Sequence, residues 1–434
     1  MLTNVEGIPS FMRSDIVKRI LTKAEEQNVL AITKELIKYP SSIWDDEKVY
    51  QYAYDYLEQK GYNPEKGDSE TYSIENREGF FNVVAKFGNG NGPKILLNGH
   101  LDTVGSKGKW IYDKYGAYED DGKIYGLGAA DMKAGCAVAI QVFEAIASRC
   151  KSLNGELFLS LVYGEESPHS IGTDELLKQY GFKDYDLIIV TEPSPELTKD
   201  NYCLTHEKIV KNPKFPVVVV GAEGREKFEL QFFGVESHAS HPKRGINALQ
   251  DASRVISELI SFNRFSDIKT GRGDYVVLNI EGGDESFTVP GYCKVTINRQ
   301  LGINEKPSAV EKEIRSIIKS LRLKTKVRIE RQYSPTEEVQ YRPYLSKNNP
   351  YFDKLFALIE NNNPGVKSNK CRFISTSIGD FNLFGVRTKI PTLVFGPGGG
   401  NIHSANEFVN KQEIIDSTEY LTQLLLDIYD EQIK

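Results

Sequence analysis

Only six histidines occur in this 434-residue chain (His100, His169, His206, His238, His241 and His403), so their surroundings are informative. The run Ile95-Leu96-Leu97-Asn98-Gly99-His100-Leu101-Asp102 ends an apolar segment on an imidazole and a carboxylate. In extended backbone those two side chains project to the same side, so His100 can ligate a metal while Asp102 holds its second ring nitrogen. A histidine that caps a turn is the alternative. Asp131, in Gly126-Leu127-Gly128-Ala129-Ala130-Asp131-Met132-Lys133, is either a ligand or a helix N-cap. Glu165 and Glu166 are neighbours at a strand end and point to opposite sides, so one can bind metal while the other stands over the open coordination position. Glu192 closes the apolar run Leu187-Ile188-Ile189-Val190-Thr191. In Phe395-Gly396-Pro397-Gly398-Gly399-Gly400-Asn401-Ile402-His403, the glycines Gly398 and Gly399 offer backbone N–H groups to a substrate carboxylate beside His403. A flexible turn is the competing view.

Five such positions in one sheet require elements that end together. Helical spacing runs over 11–38 and 49–57, and strands are expected at 80–87 and 94–98 around a glycine-rich turn. Helices at 134–147 and 173–179 then alternate with strands at 156–163 and 187–191, the pattern of an α/β sheet. Beyond residue 223 the order becomes strand 228–233, helix 247–262, strand 275–281, strand 293–300, helix 308–321 and strand 326–332. That β-α-β-β-α-β series is ferredoxin-like. Helix 351–360, strand 392–395 and helix 411–429 return to the first pattern. The expected division is a catalytic domain over 1–222 and 340–434, interrupted by an inserted domain over 223–339.

Together these motifs, from His100 to His403, resemble the zinc peptidase and deacylase family of acetylornithine deacetylase, succinyl-diaminopimelate desuccinylase, aminoacylase and the carboxypeptidase G type. The resemblance implies a phosphorylase/hydrolase-like three-layer α/β catalytic domain with an inserted ferredoxin-like α+β lid and dimerisation domain. It implies two divalent metal ions per subunit, zinc first, with cobalt or manganese as alternatives. Asp131 would bridge them, His100 and Glu192 would complete one site, and Glu166 and His403 the other. Glu165 would be the general base, and a cis peptide would follow Asp131. Histidine with carboxylate suits zinc, and two such sites about 3.5 to 4 Å apart can share a nucleophilic water.

In the inserted part, Ser237-His238-Ala239-Ser240-His241-Pro242 resembles the segment whose histidine reaches the partner subunit's active site, so His238 would stabilise the tetrahedral oxyanion. Arg299 and Arg342 lie where relatives have arginines able to meet a substrate carboxylate; structural ion pairing is the other reading for each. Three features depart from the pattern: 206–220 looks like an insertion, Leu127 stands for a common arginine, and Phe287-Thr288 lie where some members place a substrate-contacting asparagine. The expected reaction is cleavage of an N-acyl amino acid or short peptide bearing a free carboxylate. The alternative is a catalytically silent relative that binds peptides.

Composition excludes other classes. Apolar residues at 40% and charged residues at 26% fit a globular chain, and a net charge of -6 gives no field to gather nucleic acid. The segment from Met1 to Glu6 lacks a basic stretch before an apolar core, and no run approaches the roughly 20 apolar residues of a membrane span, so a cytoplasmic location without membrane contact is expected, and the resemblance implies a homodimer. Cys136, Cys150, Cys203, Cys293 and Cys371 follow no zinc-ribbon or disulfide spacing. His206-Glu207 lacks the second histidine of a zinc-protease helix because position 210 is Val210. Neither a G-x-S-x-G elbow nor a phosphate loop is present.

Overall fold

The structure is a computed structural model that describes residues 19–42, 47–66, 80–150, 152–167, 170–198, 201–203, 208–210, 213–261, 266–267, 271–272, 274–284, 286–332, 341–363 and 372–430. His169, His206 and positions 11–18 of the expected first helix lie outside them.

Four apolar runs, Glu156–Val162, Lys94–His100, Leu187–Val190 and Thr392–Val394, pair side by side and parallel in the middle of an 11-stranded sheet. Their side chains alternate between two layers. Ile95, Leu97, Leu157, Leu159, Leu187 and Ile189 enter one core with the helices Lys23–Lys38, Ala134–Arg149, Pro350–Asn362 and Lys411–Asp430. Leu96, Phe158, Ile188 and Val190 enter a second core with the helices Ile171–Tyr180 and Asp380–Arg387. Burial on both faces explains why these strands are apolar throughout rather than alternating. The result is the expected three-layer α/β arrangement.

Parallel strands need crossovers, and the helices supply them, so all four strands finish on the same edge of the sheet. The Ala134–Arg149 helix is buried without interruption from Ala134 to Ile146. Its small residues allow that closeness: a Cβ on Gly135 would lie 2.0 Å from the Thr191 carbonyl oxygen. The helix start is therefore pressed against the end of the Leu187–Val190 strand.

A second sheet has the order Tyr275–Gly282, Tyr292–Leu301, Gly224–Phe233, Lys326–Gln332, with every pair antiparallel. Helices Ala248–Ser261 and Pro307–Ser320 cover one face, where Phe228, Leu230, Phe232, Val295 and Ile297 are buried. This is the ferredoxin-like order. The chain leaves the large sheet through Val218–Ala222 and returns through Tyr344–Leu345, which pairs with Gly221 and Ala222.

Some elements carry no clear sequence signal. The stretch 206–220 runs into Val218–Ala222, an interior strand between Thr392–Val394 and Arg372–Ser375. Its valines are buried on both faces, which makes it a core strand. The strand Arg372–Ser375 and the helix Asp380–Arg387 had no counterpart in the sequence reading. Among the described residues no helix is long and apolar enough to cross a membrane.

Candidate metal centre

The shared edge of the four parallel strands is where open α/β sheets present chemistry. His100 is the last residue of its strand and pairs in register with Val162 of the next, after which Glu165 and Glu166 follow; Glu192 comes two residues after Val190. His403 arrives on the loop after Thr392–Val394. Asp131 is delivered by the loop before the Ala134–Arg149 helix, where Asp131 and Met132 depart from helical geometry and the peptide between them is cis, as the resemblance implied.

These side chains converge. His100 Nε2 lies 3.3 Å from Asp131 Oδ1 and 3.3 Å from Glu192 Oε1. His403 Nε2 lies 3.2 Å from Asp131 Oδ2 and 3.0 Å from Glu166 Oε1. Asp131 thus turns one oxygen toward each donor set, and each triad keeps its ligand atoms within 4.8 Å of one another.

The donor set fits cations. His100 Nδ1 sits 3.0 Å from the Asp102 carbonyl oxygen, so that nitrogen carries the proton and Nε2 presents its lone pair. Nε2 is buried with no hydrogen-bond partner. Burial, together with the Asp131 charge, pushes Glu192 up to about 8. Hydrogen bonds that its ring N–H donates to the Asp131 and Glu166 carboxylates lift His403 to about 10. Burial opposes charge on His100, yet Glu192 and Asp131 raise its pKa. Carboxylates this close hold together only by retaining protons or by sharing cations, and a metal ion removes the need for the protons.

Around the ligands, roles differ from the sequence reading. The Asp102 carboxylate is 3.7 Å from His100 Nδ1, and instead accepts the backbone N–H of Glu165 at 3.1 Å and of Glu166 at 2.9 Å. The residue therefore orients the imidazole through its main chain and the glutamate pair through its side chain. Glu165 Oε2 is 3.9 Å from His100 Nε2, and ligand atoms of His100, Glu165 and Glu166 also lie within 4.8 Å of one another. Burial raises its pKa well above the usual range, aided by Asp380 and Glu166.

Three other expectations fare differently. Arg299 is fully buried, forks onto Glu305 at 2.8 and 3.1 Å and lies over the Tyr275 ring, so the ion-pairing reading holds and its guanidinium is not offered to substrate. The Gly398 N–H is taken by Glu413 Oε2 at 2.8 Å, and Gly399 pairs with Val409, so this loop is not an open anion cradle. Its glycines answer a packing demand: a Cβ on Gly399 would lie 1.9 Å from the Phe408 carbonyl oxygen. Arg342 is exposed, and its carbonyl accepts from Asn382.

His238 is exposed on a short two-stranded antiparallel ladder, paired with Thr288. The Ser240 N–H donates to its Nδ1 at 3.2 Å, which leaves Nε2 as the N–H donor of the neutral ring. Sequence reasoning missed the buried carboxylates Glu407 and Asp380. Neither carries a sequence signal, since Glu407 sits in an ordinary polar stretch and Asp380 in an unpredicted helix.

Comparison with known proteins agrees with this geometry. The sequence profile of peptidase family M20/M25/M40 matches residues 96–427. A succinyl-diaminopimelate desuccinylase of Methylobacterium nodulans is 24% identical over 92% of this chain and 96% of its own. That of Bordetella petrii is 26% identical over 87% and 92%. Among solved structures, an aminopeptidase of Bacillus cereus superposes with a TM-score of 0.70 at 18% identity, over 94% of this chain and 99% of its own. A Bacillus subtilis protein described as a dinuclear metal-binding peptidase gives 0.66 at 14%, over 94% and 99%. With three quarters of its length matched by the family profile and the motif residues gathered at one sheet edge, the chain belongs to peptidase family M20/M25/M40.

Proposed function

We propose that this metal-dependent amidohydrolase cleaves N-acyl amino acids or short peptides with a free carboxylate next to the scissile amide, as a deacylase, desuccinylase or carboxypeptidase. The observation that carries the reading is the two-sided Asp131, with His100 and Glu192 before one oxygen and Glu166 and His403 before the other. These five residues would hold two divalent ions, zinc first, with cobalt or manganese as alternatives. When bound, such a pair polarises a carbonyl and makes water acidic enough to lose a proton near neutral pH.

Glu165 Oε2 stands 3.9 Å from His100 Nε2, where it takes a proton from the attacking water and returns it to the amide nitrogen as the C–N bond breaks. Asp102 fixes the backbone of that glutamate. Arg342 is the remaining candidate for the substrate carboxylate. His238, an exposed N–H donor, would serve the oxyanion of a partner subunit's site. A homodimer is supported by the edge strand Tyr275–Gly282, which exposes Val276, Leu278 and Ile280. The free thiols of Cys136, Cys150 and Cys293 suit a reducing compartment such as the cytoplasm.

The test is a panel of N-succinyl and N-acetyl amino acids and dipeptides, assayed after chelation and return of zinc, cobalt or manganese. Metal-dependent release of a free amino acid is expected. No turnover with both sites full would favour the peptide-binding alternative, against which the complete ligand set and Glu165 both argue.

A further inference from the structure

Glu407 stands outside the ligand set yet touches the loop that carries its centre. It follows His403 by four residues and leads into the strand Phe408–Asn410, which pairs with Lys123–Tyr125 just before the Asp131 loop. Its side chain is 1% exposed. Oε2 accepts the Gly128 N–H at 2.9 Å, and Oε1 accepts those of Ala130 at 2.9 Å and Asp131 at 3.0 Å. Its own carbonyl accepts the Gly126 N–H at 3.0 Å.

These donors converge because the loop is not helical: Gly128 has a left-handed φ of 73°, and Asp131 has a φ of -119°. Three N–H groups gathered on one buried carboxyl make a strong clamp, since each would otherwise be a donor left unmet away from water. The other ligands are fixed by different means. His100 and Glu192 continue directly from neighbouring parallel strands. His403, in contrast, stands half exposed on a loop with a left-handed φ of 59°.

Resting on the two-cation reading, the geometry points to Glu407 as the positioning residue that locks the Asp131 loop to the His403 loop and so governs loading of the Asp131–Glu166–His403 site. Loss of the clamp frees two of that site's three ligands and only one of the other's. The two sites therefore respond unequally.

Full-length protein stripped with chelator and titrated with Zn²⁺ by calorimetry, and with Co²⁺ by visible absorption, tests this. The wild type is expected to take two ions. Glu407→Ala should keep the ion at His100 and Glu192 more tightly than the other, whose affinity falls by about 10- to 100-fold, the usual cost of losing a group that supports a ligand. The Co²⁺ spectrum of the second equivalent should change. Glu407→Gln should recover part of the affinity, because its carbonyl can still accept from Ala130 and Asp131, and it gives the same readout if the alanine variant does not fold. Unchanged stepwise affinities, or equal loss at both sites, would overturn the inference. A wild type that takes up fewer than two ions would instead sink the two-cation reading beneath it.

Discussion

Asp102 divides its work between two neighbours, and the division can be measured. Its carbonyl sets the His100 tautomer while its carboxylate holds the Glu165 and Glu166 N–H groups. Asp102→Asn keeps the carbonyl but turns an NH₂ toward one of two N–H donors, leaving a buried donor unmet at a cost of about 1–3 kcal/mol. Turnover should fall while the ion at His100 stays; kinetics beside metal analysis would read both, and release of that ion would refute the separation. Glu165→Ala acts more directly. It should retain both ions and lower kcat by about 10²- to 10⁴-fold, the range for a lost general acid-base. A kcat within a few-fold of wild type would remove Glu165 from the proton transfers.

Strand ends made this centre legible, because a buried strand must be apolar and any charged group at its terminus stands out. His100, Glu165, Glu166 and Glu192 all follow such runs. What stayed hidden depends on tertiary contact. Glu407 is a ligand support only because a distant loop turns its N–H groups inward, and Arg299 lost its assigned role to Glu305, six residues away, by fork geometry that spacing does not reveal. The strand Arg372–Ser375 is four residues long and lacks flanking periodicity. Between strand and loop stands Gly135, where only a missing Cβ lets the Ala134–Arg149 helix reach the Thr191 carbonyl. Gly135→Ala should push that helix start outward, cost about 1–3 kcal/mol in a urea titration and loosen Asp131 four residues before it. Full metal content at unchanged stability would show that the contact yields at no cost.

The chain passes from the larger sheet to the smaller at Glu223 and is back beside the larger at Arg342, and one amide grips both points. Asn382 Nδ2 donates to the Glu223 carbonyl at 2.8 Å and to the Arg342 carbonyl at 3.0 Å. Gln300 Nε2 of the smaller sheet also donates across, to the Thr376 carbonyl at 2.6 Å. Sharing between subunits then makes a quantitative prediction. His238→Ala should impair turnover with little loss of metal, and Glu165→Ala should be inactive at its own site. In a mixed dimer one site combines an intact Glu165 with the partner's intact His238, while the other lacks both. Random pairing at equal amounts should therefore restore about a quarter of wild-type activity per subunit, because the two-fold interface exchanges equivalent residues. Verified mixed dimers that show no gain over the sum of the two variants would place His238 in its own subunit's chemistry or outside it altogether.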